Sequence, residues 1–78
     1  MADRKELREK YSYEIEFDDG GEFSHFYYTN SVDTDSQSFL RFDPLFELGH
    51  EVEREISDET LTIPYFRIVR IVRRKKED

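Results

Sequence analysis

The chain has 78 residues, a formal net charge of −7, 40% charged side chains and no cysteine. That length holds one small domain, and a domain of such size buries only about 60% of the surface its unfolded chain exposes. Disulfides and thiolate zinc sites are excluded, no apolar run approaches the ~20 residues of a membrane-spanning helix, and the charged opening MADRKELREK does not read as a secretion signal. The expectation is a soluble, cytoplasmic protein.

Asp3 is placed to cap a short helix through Arg8, with Glu6 as its reciprocal partner and Leu7 as its anchor. From Tyr11 to Phe17, Tyr11, Tyr13, Ile15 and Phe17 alternate with Ser12, Glu14 and Glu16, the period-two pattern of a half-buried strand. Asp18, Asp19, Gly20 and Gly21 carry hairpin-turn chemistry, and 22–29 reads as the return strand. Residues 30–36 form a polar loop and 37–42 a third strand, stopped at Asp43 and Pro44. Residues 45–48 fit either one helical turn or an irregular edge. Val52, Arg54 and Ile56 alternate with Glu51, Glu53 and Glu55, a strand with one acidic face. Residues 60–63 make a short strand stopped by Pro64, a turn covers 64–67, and the β-branched run from Ile68 to Arg73 is a last strand.

Short strands at regular spacing predict a mainly β fold: a small antiparallel barrel or strongly bent sheet of five to six strands, with a short N-terminal helix. The alternative is an open α+β sheet with that helix across one face. Residues 1–10 would form a short helical or frayed arm, 11–74 one β-rich domain, and 75–78 a charged tail.

Charge is segregated along the chain. Residues 11–66 hold fourteen acidic side chains and two basic ones, Arg41 and Arg54; residues 67–78 hold Arg67, Arg70, Arg73, Arg74, Lys75 and Lys76 against Glu77 and Asp78. The basic run would neutralise phosphates, with Tyr65 stacking on unpaired bases and Phe66 packing or stacking beside it, so single-stranded RNA is one candidate partner. Alternatively, Arg67, Arg70 and Arg73 pair across strands with Glu51, Glu53 and Glu55. A second candidate partner is a basic protein docked on Glu51, Glu53 and Glu55, with Tyr27 or Tyr28 as an interface anchor.

Other groupings are less pointed. Asp33 and Asp35 open a stretch that begins like a calcium loop, but Ser38 stands at the sixth position and Pro44 at the twelfth. They remain weak metal candidates, with Asp18 or Asp19 as further ligands. His25 alternates with Phe23 and Tyr27 and would line an aromatic cluster; His50 follows Gly49 in a loop. No spacing marks a catalytic group, a phosphate loop or a cofactor site, and the expectation is a binding protein without cofactor and not an enzyme.

The segment Thr62-Ile-Pro-Tyr-Phe-Arg-Ile68 resembles the closing motif of the archaeal RNA cyclic-group end recognition domain, which reads isoleucine, proline, an aromatic, histidine, arginine, isoleucine. Tyr13-Glu14-Ile15 is similar to that family's first strand. The resemblance implies a small β-rich fold that recognises RNA ends. Phe66 stands at the family's histidine, and no basic, glycine-containing stretch follows the first strand. A strand, Ile-Pro, turn, strand ending also occurs in Sm-like barrels, where it is a packing device.

Overall fold

A computed structural model of the chain describes residues 3–18 and 20–74. It starts with helix α1, Arg4–Lys10, whose cap Asp3 accepts a hydrogen bond from the backbone N–H of Lys5. Seven strands follow: β1 Tyr13–Phe17, β2 His25–Thr29, β3 Phe39–Phe42, β4 Phe46–Leu48, β5 Glu53–Glu55, β6 Leu61–Pro64 and β7 Ile68–Arg73. A 3-10 turn over Tyr65–Arg67 links β6 to β7.

Five strands form one antiparallel sheet in the order β5-β4-β2-β1-β7, and β3 pairs with β6 in a separate two-stranded ribbon. The fold is mainly β with one short helix among the described residues. The two sheets do not close on one another, so the expected barrel is only approximate, and the strand count exceeds the expected five to six. The surplus is the segment that fitted either a helical turn or an irregular edge, which pairs regularly as β4 between β2 and β5.

Pleating sends alternate residues of β1 to opposite faces. On one face Ile15 packs with Leu40, Phe42 and Ile63, so the ribbon covers that side. On the other face Leu7 of α1 packs with Tyr11, Phe26, Tyr28 and Phe46, so the helix covers this side. The inner strands β1 and β2 are therefore covered on both faces, as the alternative of a helix laid across an open sheet anticipated for one of them. Ile15, Tyr28 and Leu40 are fully buried, and each such side chain contributes about 1.5–3 kcal/mol.

The β1–β2 connection is longer than the hairpin expected from its residues, because 22–24 lie exposed before β2 starts at His25. Gly20 takes φ +88, a conformation side chains disfavour, and its N–H bonds to the Asp18 carboxylate at 2.8 Å. Phe23 instead stacks on His50, with ring centroids 3.8 Å apart.

Candidate functional site

The basic strip lies on an edge of the main sheet. β7 pairs with β1 on one side, Tyr13 opposite Arg73, Glu14 opposite Val72 and Glu16 opposite Arg70, and has no strand neighbour among the described residues on the other. A bulge interrupts the register between Glu16 and Phe17, which increases the local twist of the edge. Arg67, Arg70, Arg73 and Arg74 are all exposed. None of them makes an ion pair among the described residues. Arg73 instead lies over the Tyr13 ring at 5.9 Å.

The expected pairing of these arginines with Glu51, Glu53 and Glu55 does not form. β5 is the opposite edge of the same sheet, with β4, β2 and β1 in between. Lys75 and Lys76, expected to extend the basic strip, lie outside the described residues.

The two aromatics of the 3-10 turn differ in exposure. Tyr65 is half-buried against the core shared with the ribbon, held by a backbone bond from its N–H to the Ser38 carbonyl. Phe66, the position of the family's histidine, is 84% exposed. Val69 and Ile71 are exposed on the same edge. The exposed ring beside the arginines is thus Phe66, and Tyr65 is a packing residue.

Of the two expected anchors on β2, Tyr28 is not available to a partner, because its face is covered. Tyr28 is fully buried under the helix and Tyr27 is half-buried toward the ribbon, stacked on Phe17 at 5.0 Å. Glu51, Glu53 and Glu55 are exposed, as the docking expectation requires.

The acidic loop is engaged with itself. The Asp33 carboxylate accepts from the Asp35 N–H at 3.0 Å, and the Asp33 backbone bridges to Arg41. Arg41 lines the same hollow as Asp33 and Asp35, which disfavours a cation there. Among the described residues no group of three or more His, Asp or Glu side chains is arranged to hold a metal; Asp19 lies outside them.

Two buried carboxylates escaped the sequence reading. Glu14 is 2% exposed, on the β1 face toward the helix. It accepts from Arg4 at 3.0 Å, from Arg8 at 3.1 Å and from the Tyr28 hydroxyl at 2.5 Å. Burial pushes this carboxyl up, but hydrogen bonds from Arg4, Arg8 and Tyr28 outweigh it and hold the group below the ordinary carboxylate range. Arg4 also lies over the Phe26 ring at 4.1 Å. The signal was present: Arg4, Leu7, Arg8 and Tyr11 share one helical face, an apolar stripe flanked by guanidinium groups that needs an acid beneath it.

Glu47 is 7% exposed on the opposite face of the sheet. The pleat alone assembles its partners, since Tyr27, Glu47 and Arg54 sit directly across neighbouring strands. His25 Nε2 and Arg54 Nε each lie 2.6 Å from the carboxylate, and the Tyr27 hydroxyl donates at 3.3 Å. Burial raises this carboxyl too, and the bonds from Arg54 and His25 bring it below the ordinary range. Burial and the charge of Glu47 push the Tyr27 phenol up to about 12. His25 also packs between Phe17 and Tyr27, with centroids at 4.7 and 5.4 Å. Both carboxylates are saturated by protein donors, and this arrangement braces the sheet.

No family model, curated protein or solved structure matches the chain. No helix among the described residues is long and apolar enough to cross a membrane.

Proposed function

We propose that this protein is a non-enzymatic, cytoplasmic binding module that takes single-stranded RNA along the β7 edge. The observation that carries this reading is the set of four exposed arginines, Arg70 and Arg73 on the open strand β7 and Arg67 and Arg74 flanking it, with no ion pair among the described residues. Phosphates would meet the guanidinium groups, and Phe66 would offer its ring to a base. The resemblance of residues 62–68 to an RNA-end recognition motif points the same way, although Phe66 departs from that motif's histidine.

The test is to follow amide chemical shifts while titrating a short oligouridine at about 50 and 300 mM salt. Binding through four phosphates on a single strand changes log K by roughly −0.7 per phosphate for each decade of salt, so affinity falls roughly a hundredfold between the two conditions. Shifts should centre on Phe66 to Arg74 and shrink with salt. An unchanged spectrum at low salt overturns the reading.

A second reading has its own observation. β5 is also an open edge, and its residues Glu53, Arg54 and Glu55 are all exposed. With Glu51 they form an acidic ridge suited to a basic protein partner. Shifts confined to 51–55 on adding a basic peptide, with none on β7 from RNA, would favour it.

A further inference from the structure

The two open edges of the five-stranded sheet carry opposite charge: Arg67, Arg70, Arg73 and Arg74 on and around β7, and Glu51, Glu53 and Glu55 on and before β5. We infer that the chain associates with a second copy of itself head to tail, the β7 edge of one copy pairing with the β5 edge of the next. The inference goes beyond the RNA reading and stands whether or not RNA binds.

Three features of the fold support it. An edge strand presents a row of unpaired N–H and C=O groups, which is a template for another strand. β7 is exposed along its outer side, with Val69 and Ile71 uncovered. Strand direction and facing also agree. Every neighbour in the sheet is antiparallel, so β5 and β7 run the same way. A copy displaced sideways along the sheet therefore pairs β7 with β5 in parallel and keeps its helix on the same side.

In that arrangement the charges meet on matching faces. Arg70 lies opposite Glu16, on the helix-bearing side of the sheet. Glu53 and Glu55 lie opposite Leu48 and Phe46, which also face the helix. On the ribbon side the β5 residue is Arg54, whose charge is already met by Glu47 and Glu59 at 2.6 and 3.3 Å. It therefore opposes Arg73 of the neighbour only weakly. Pairing β7 with another β7 would instead set arginines against arginines, which is unfavourable. The head-to-tail contact uses a different patch on each copy, so it repeats in a line or closes into a ring and does not stop at a symmetric dimer.

β5 has only three residues, so few backbone bonds form and the contact is weak and salt-sensitive. The experiment is sedimentation-equilibrium measurement of average mass against protein concentration, without RNA, at low and at about 1 M salt. Two variants with surface changes accompany the natural chain: Arg70→Gln with Arg74→Gln on the basic edge, and Glu51→Lys with Glu55→Lys on the acidic edge. The neutral replacement at Arg70 avoids setting a carboxylate beside Glu16, and circular dichroism confirms that both variants fold. The natural chain should grow beyond the monomer with concentration at low salt and return to monomer at high salt. Each variant alone should stay monomeric, whereas their equimolar mixture should form a one-to-one complex and go no further, because one good edge of each sort remains. A natural chain that stays monomeric at every concentration, a variant that associates like the natural chain, or a mixture that does not pair overturns the inference.

Discussion

Glu14 and Glu47 are both buried acids with several donors each, yet they hold the molecule together in different directions. Glu14 joins layers. Its guanidinium partners come from α1 and its phenol partner from β2, so one carboxylate of the central sheet fastens the helix above it. Glu47 joins neighbours within one layer, drawing on His25 and Tyr27 of β2 and Arg54 of β5. The first arrangement exists only when the helix is docked; the second follows from strand register. A buried charge in this fold thus marks either a lid or a seam, and the origin of its donors tells which.

The two sites should break differently. Replacing Glu14 with Ala strands the Tyr28 hydroxyl and frees α1, and we expect a loss of about 3 kcal/mol in urea unfolding. Arg4 and Arg8 are about 40% exposed and can return to water, which keeps the loss at that level. Amide exchange should accelerate first in residues 4–10. The matching Glu47→Ala change should cost less, about 1–2 kcal/mol, and speed exchange in 53–55 while leaving the helix protected.

Acid should weaken both next. Both carboxyls sit below their unfolded values, so the unfolded chain binds more protons as pH drops. The stability they contribute is complete above the ordinary carboxylate value of about 4.3 and is lost as pH falls through the lower folded values. Urea midpoints measured from pH 6 downward should therefore fall for the natural chain and fall less for Glu14→Gln and for Glu47→Gln. A slope unchanged by Glu14→Gln would show that this acid does not bind its proton as its surroundings require.

The smallest effect concerns the seam alone. A Cβ at Gly49 would come within 2.7 Å of His25 Nδ1, and the ring is hemmed by Phe17 and Tyr27. Gly49→Ala should shift His25 off Glu47 at a cost of about 1 kcal/mol, visible as altered His25 ring resonances with unchanged signals from α1.

Much of this architecture was legible from pattern, and its failures have a common source. The run of β-branched residues marked β7 to its observed bounds, Ile68–Arg73, and Asp3 marked the helix start. Alternation placed Glu14 on the polar side of β1, which is where it lies; what alternation does not carry is that a helix covers that side. Glu47 went unnoticed because a three-residue strand is too short to show a period. That Phe66 is exposed while Tyr65 packs was not legible, since a 3-10 turn, unlike a strand, does not alternate its side chains between two faces. For the candidate site, the basic run was plain in composition, whereas its separation from the acidic strand is a matter of strand order, which local spacing does not encode.

The inner strand β1 has one neighbour close in sequence, β2, and another, β7, at the far end of the described chain. During synthesis, β1 can form its hairpin with β2 early, but its second ladder waits until Arg73 has emerged. Ile15 also stays uncovered on the ribbon side until β3 and β6 have both appeared. Such late, long-range closure raises contact order and places folding among the slower small domains, in the range of milliseconds to seconds. For that interval the nascent chain presents the hairpin's unpaired flank to whatever lies nearby, and the net negative charge of the chain opposes close approach of a second unfinished copy.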